Sequence, residues 1–216
     1  MKAIVVATKG SRSLPVLLAS INAYVPSDVV VYIAGDDRWG IGRNIKCFPN
    51  TATNYGDAYN AIVNEAFKQY DEIIVANDDI VLTPTSYDVL AQDVATLKAQ
   101  SNKIGWVVAR ADYVRPSQLA HQLNELNVYK CDRVSPLFGY VSKEAWVNYA
   151  PINWYSDDLQ CLEMMVIGYQ HYISRAYVHH AGSQTIGMDH RKNHLEAEPW
   201  IKANKPDLHK VWYEAF

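Results

Sequence analysis

The chain has 216 residues, 49% apolar and 20% charged, which suits one substantial domain with its own core and is ordinary for a soluble globular enzyme. A formal net charge of -3 gives no overall basic field, so nucleic acid is not expected as a partner unless through a local patch. No stretch is long enough to span a bilayer, and the opening MKAIVVATKGS reads as a first strand rather than a signal peptide.

Residues 2–8, KAIVVAT, form a continuous apolar strand. Leu14, Leu17, Leu18 and Ile21 then recur at helical spacing, with Pro15 tolerated in the first turn. VVVYIAG (29–35) is a second buried strand. In 57–70, Tyr59, Ile62, Val63, Ala66, Phe67 and Tyr70 share one stripe, with Asp57 near its start, and predict the clearest helix of the chain. EIIVANDDIVLTP (72–84) follows, a core strand running into Asn77, Asp78 and Asp79, after which Ile80 to Leu82 lead toward a helix over about 86–99. Residues 104–111 predict another strand. Residues 137–150 suggest a short strand and a helix, and 156–169 a helix capped by Ser156 and closed by Gly168. HYISRAYVHHAGSQT is a strand entering a polar turn, and the tail from His190 is polar and studded with aromatics.

Strands alternating with helices predict an α/β fold, a mostly parallel sheet flanked by helices in a single compact domain over 1–216. Ligands of such sheets bind beyond the carboxyl ends of the strands, which draws attention to 8–12, 36–38 and 77–79. Asp78 and Asp79 there could hold Mg²⁺ or Mn²⁺ and so neutralise a diphosphate leaving group, or could simply cap the following loop. The 15 Tyr and 6 Trp suit sugar or base stacking as well as core filling. Cys47, Cys131 and Cys161 are widely spaced and odd in number, which fits a reducing cytoplasm rather than a disulfide framework.

Four segments, taken in order, carry a family resemblance. ATNYGDAYNAIVNEA (52–66) is similar to an Asn-x-Gly-x-x-x-x-Asn helix, with Asn54, Gly56 and Asn60 or Asn64 at its polar positions. VANDDIVLTP is similar to an Asp-x-Asp metal motif, FGYVSKEAW (138–146) to a Gly-containing strand that leads into a helix, and 154–185 to a Glu-Asp helix, Gly-Tyr turn and terminal His-x-Gly-Ser. Together they cover nearly the whole chain. It resembles the GT-A nucleotide-sugar glycosyltransferases, most closely the inverting enzymes of glycosyltransferase family 2, in a minimal form that would suit a small microbial or viral genome such as that of a phage.

The resemblance implies a metal-dependent transfer of a hexose from a UDP-sugar, UDP-glucose or a close relative, to an acceptor hydroxyl. Residues 1–109 would bind the nucleotide sugar, and 110–216 the acceptor, with catalysis. Asp79 would ligate Mn²⁺ or Mg²⁺, while Asn77 and Asp78 share ribose and water-mediated metal contacts. Asp36 or Asp37 would read the uracil edge, and Thr8 and Arg12 lie where the first loop meets the nucleotide. Asn54, Gly56 and Asn60 would belong to the donor side. Asp158 would be the general base, with Asp157 where Glu is usual. Both carboxylates would also serve as helix caps. His180, or His179 on the opposite face of its strand, would complete the metal site. Arg191 and Lys192, read as lying on a loop, would clamp the diphosphate on closure or stay solvated. A sugar nucleotidyltransferase would show a fuller Gly-rich loop than TKGSRSLP. A non-catalytic nucleotide-sugar or carbohydrate-binding protein would keep Asp79 without needing Asp158.

Overall fold

The computed structural model describes residues 1–36, 44–100, 103–182 and 189–213. Four parallel strands lie side by side in the order β3 (Ile45–Phe48), β2 (Val30–Ala34), β1 (Ala3–Ala7) and β4 (Glu72–Ala76). Strand alternation divides β1 between two cores. Ile4 and Val6 pack with Leu14, Leu17 and Ile21 of helix α1 (Leu14–Tyr24). Ala3 and Val5 pack with Tyr59, Ile62 and Val63 of helix α2 (Tyr55–Ala66) on the other face. Burial on both faces is why β1, β2 and β4 read as unbroken apolar runs, whereas the edge strand β3 stays partly exposed.

The sheet continues through β8 (Phe138–Ser142), β6 (Ile104–Ala111), β9 (Gln170–His180) and β5 (Ile80–Leu82), with β7 (Tyr129–Cys131) also paired to β9. β8 enters antiparallel between β4 and β6, and β5 and β7 run against β9. The remaining strands, β1, β2, β3, β4, β6 and β9, share one direction. Helix α3 (Ser86–Gln100) covers β6 and β9, and its buried Asp93 accepts from Ser174 Oγ at 2.6 Å and from Arg175 Nε at 2.8 Å. These contacts hold a bulge, where the step from Val108 to Arg110 on β6 matches the longer step from Ile173 to Tyr177 on β9.

Several segments differ from expectation, among them β3 and β7, short partly exposed strands that the sequence pattern does not predict. Ile80 to Leu82 do not simply lead onward. They form a strand of their own, paired Ile80 to His180 and Leu82 to Val178. No helix follows β8. After a turn the chain runs irregularly to residue 155 and docks on α2. Asn60 Nδ2 donates to the Tyr149 carbonyl at 2.9 Å, and the Tyr149 N–H donates back to Asn60 Oδ1 at 2.8 Å. The polar tail folds into two helices, α5 (His190–Asn204) and α6 (Pro206–Tyr213). Ala197 and Ile201 of α5 close a third apolar cluster with Ile152, Tyr155 and Leu159, the last on helix α4 (Ser156–Val166).

Gly56 fixes the docking of that irregular segment. Its N–H donates to the Ile152 carbonyl at 3.2 Å, and a Cβ there would stand 1.9 Å from the Ala150 carbonyl oxygen. Gly56→Ala must therefore push the 149–152 segment off α2. The expected loss is about 2–3 kcal/mol, a fall in Tm of roughly 5–10 °C measurable by thermal denaturation.

Candidate active site

A cleft of about 940 Å³ opens at the carboxyl ends of β1 and β4, and Thr8, Asn77, Asp78, Asp79, Asp158 and His180 are among its lining residues. The pairing of β5 with β9 builds one wall. Ile80 faces His180, and the Ala181 N–H donates to the Asp79 carbonyl at 2.9 Å, so the Asp79 carboxylate meets the His180 ring with Oδ1 3.2 Å from Nε2. His180 Nδ1 is bonded to the Tyr113 carbonyl. A carbonyl can only accept, so Nδ1 carries its hydrogen and Nε2 is the nitrogen aimed at Asp79. Burial opposes charge on this ring, yet the hydrogen bond and negative charge of Asp79 outweigh it and hold His180 above the usual imidazole range.

Asp78 turns toward Thr8. Burial lifts its carboxyl to about 6, with repulsion from Asp79 adding to this and the hydrogen bond from Thr8 opposing it. Thr8 Oγ1 in turn accepts from the N–H groups of Gly10 at 3.0 Å and Ser11 at 3.3 Å, which shapes the loop after β1. The Asn77 N–H donates to Leu137 at 2.9 Å, and its Oδ1 lies 3.5 Å from the hydroxyls of both Tyr55 and Tyr59.

The opposite wall is the start of α4. Tyr155 precedes it at φ +66°, a left-handed conformation costly for a non-glycine residue, and it gives no side-chain cap; Ser156 is the first helical residue rather than the cap. Asp158 does not cap either. Its Oδ1 accepts from Arg115 Nη1 at 2.8 Å, while Asp157 Oδ2 lies 3.4 Å from Arg115 Nη2 and Asp157 Oδ1 accepts from the Asp158 N–H at 3.0 Å. Arg115 Nε donates to Ser135 Oγ at 2.9 Å, which ties the loop after β6 to the segment before β8. Burial, then repulsion from Asp158, lifts Asp157 to about 6 against the pull of Arg115. Burial works against the Arg115 guanidinium too, but Asp158 and Asp157 keep it firmly charged. Asp78 and Asp157 thus hold their protons more tightly folded than unfolded. Ionising them as the pH rises from about 4 through about 6 therefore subtracts stability, chiefly the cost of burying the charges and secondarily their repulsion by neighbouring carboxylates.

The remaining residues singled out in the sequence divide. Asn54 lines the cleft and also caps α2, accepting from the Asp57 N–H at 2.8 Å. Gly56 and Asn60 stand behind that wall, holding the 149–152 segment. His179 turns to the opposite face, as alternation requires, and pairs with Asp112. Arg12 and Asp36 are exposed and not among the described lining residues. Arg191 and Lys192 sit on no loop: they begin α5 behind the cap Asp189, exposed, with Lys192 Nζ 3.8 Å from Glu196. Asp37 and the Ser-Gln-Thr stretch after Gly182 lie outside the described residues. Of the aromatic residues, Trp106 is fully buried and fills the core, whereas Tyr113, Trp154 and Tyr155 line the cleft. Of the other lining residues, Lys9 lies in the 8–12 stretch and Tyr55 at an unassigned position of the 52–66 motif, while Asn50, Asn153 and Arg115 belong to no motif.

No protein-family model matches the chain, and no curated protein matches it. Solved structures do. GalNAc-T7, crystallised with UDP, GalNAc and Mn²⁺, superposes with a TM-score of 0.63 at 12% identity, over 82% of this chain and 43% of that one. Residues 1–349 of TarS from S. aureus superpose with a TM-score of 0.58 at 13% identity, over 82% of this chain and 59% of that one. The chain spans about half the length of these structures, and at such identities the likeness is one of fold.

Proposed function

We propose that this chain, whose fold is the GT-A fold of nucleotide-sugar glycosyltransferases, transfers a hexose from a UDP-sugar to an acceptor hydroxyl with inversion, in a metal-dependent reaction. The observation that carries the reading is the meeting of Asp79 and His180 across the β5–β9 pairing, in a cleft whose facing wall presents Asp158. Residues 1–109 supply most of the donor side. Residues 110–216 supply the acceptor side and the base.

The donor set fits a divalent cation. Asp79 offers a carboxylate, and His180 offers Nε2 with its other nitrogen already fixed by a carbonyl, an arrangement that orients a metal-binding imidazole. The mixed oxygen and nitrogen set favours Mn²⁺ over Mg²⁺. Among the described residues no third His, Cys, Asp or Glu completes a cluster, so phosphate oxygens of the donor and water would fill the remaining positions. The cation, when bound, would neutralise charge building on the departing diphosphate.

The chain's own groups supply the rest. Thr8, Asn54, Asn77 and Asp78 line the side on which the nucleotide would lie, and the neighbouring Tyr55 offers an aromatic face. Asp158 takes the proton of the acceptor hydroxyl as that oxygen forms its bond to the anomeric carbon, while the bond from that carbon to the diphosphate oxygen breaks and UDP leaves. Tyr113, Trp154 and Tyr155 border the acceptor side with surfaces suited to stacking on a sugar ring. UDP-glucose or a close relative is the proposed donor.

A panel of nucleotide sugars with and without Mn²⁺, scored by thermal shift, tests this reading. UDP or a UDP-sugar together with Mn²⁺ is expected to raise Tm by roughly 5–10 °C at a hundredfold excess over Kd, and each alone by less. No shift with any UDP-sugar would overturn it.

A further inference from the structure

We infer that Arg115 is the positioning residue of the general base: its fork fixes which oxygen of Asp158 faces the acceptor and sets a positive charge against the Asp157–Asp158 pair, so that its loss moves the acid limit of turnover. This rests on the glycosyltransferase reading above. The geometry supports it in two ways. Asp158 Oδ1 is occupied by Arg115 Nη1 at 2.8 Å, whereas Oδ2 accepts no hydrogen bond from the described residues and is the oxygen left for an acceptor hydroxyl. Arg115 is itself held by Ser135, so the carboxylate is anchored to the segment before β8 rather than to its own helix alone.

The electrostatics point the same way. Two adjacent carboxylates share a buried helix start, and the groups facing them from α4, from the 149–155 segment and from α2 are Cys161, Tyr149, Tyr155 and Tyr55. Burial pushes each of these up, so all stay neutral at working pH. Arg115 is the cation in contact with both carboxylates, and Arg133 lines the same cleft. Lysine could supply the charge but not the shape. The contacts use Nη1, Nη2 and Nε in three fixed directions, which a single ammonium cannot reproduce.

Arg115→Met and Arg115→Lys separate charge from geometry. Arg115→Met is expected to lower kcat on the order of 100-fold and to move the acid limb of the pH profile up by at least about one unit, with donor KM little changed. Arg115→Lys is expected to keep the acid limb near that of the wild type while losing part of kcat. A ¹³C-carboxyl NMR titration of the Asp157–Asp158 pair gives a readout independent of turnover, expected to rise in Arg115→Met and to stay near wild type in Arg115→Lys. Titration and acid limb both unmoved in Arg115→Met, with only Tm lowered, would mean a merely structural arginine and would overturn the inference while leaving the transferase reading intact. A wild type inactive toward every nucleotide sugar would instead overturn that reading, and this inference with it.

Discussion

Asp79→Asn is expected to lower Mn²⁺-dependent kcat/KM by on the order of 1,000-fold, about 4 kcal/mol of transition-state stabilisation. The substitution keeps the size of the side chain and removes the charge. Asp79 sits between two contacts that fix it, its carbonyl bonded to the Ala181 N–H and its carboxylate facing His180 Nε2 at 3.2 Å. The amide should therefore occupy the same place, with Tm little changed, while the cation loses its charged ligand. His180→Ala should weaken Mn²⁺ affinity by a further class of effect. Removing the second proposed ligand leaves Asp79 alone, and a titration of Mn²⁺ in the presence of UDP should show roughly 10- to 100-fold weaker binding. Unchanged Mn²⁺ affinity in both variants would place the cation elsewhere.

Asp158→Asn is expected to lower kcat by roughly 100- to 10,000-fold while leaving UDP and Mn²⁺ affinity within about threefold of wild type. The split follows from position. Asp158 lies on the α4 wall, hydrogen-bonded to Arg115, whereas Asp79 and His180 lie on the β5–β9 wall. Steady-state kinetics paired with calorimetry of UDP binding reads the two effects separately. Unchanged turnover would remove Asp158 as the base, and lost UDP affinity would show that the walls are not independent.

Much of the framework was legible because of how these strands are buried. β1, β2 and β4 are covered on both faces, and that burial leaves a run of consecutive apolar residues that needs no alignment to read. Asp78 and Asp79 could be seen as the end of such a strand. Their partner could not, because β5 meets β9 from the far end of the chain and a three-residue strand leaves no period to detect. Alternation alone said that His179 and His180 face opposite ways. Only the register, with Ile80 opposite His180, decides which of them enters the cleft.

The misreadings have local causes. Ala145, Trp146 and Tyr149 fall at helical spacing, yet Trp146 and Tyr149 pack against the aromatic rings of Phe67, Trp106 and Tyr59 from an irregular segment held by Asn60. Tertiary contact overrides the period there. In α5 the buried stripe is Asn193, Ala197 and Ile201, of which the first is polar and the second small, so that Ile201 alone marks the face, and Pro199 interrupts the pattern further. The cationic run at 190–194 therefore read as a loop. Arg115 shows the remaining limit. Its two carboxylate partners lie more than forty positions away, and an arginine before a proline carries no motif of its own.

In the proposed reaction this cleft transfers sugar from a UDP donor with a cation held by Asp79 and His180. Release of UDP from a panel of UDP-sugars, followed with Mn²⁺, after chelation with EDTA and after Mn²⁺ is restored, is the decisive measurement. UDP release is expected from at least one hexose donor, lost on chelation, regained with Mn²⁺ and absent in Asp79→Asn. Release that is indifferent to EDTA, or none from any UDP-sugar, would contradict it.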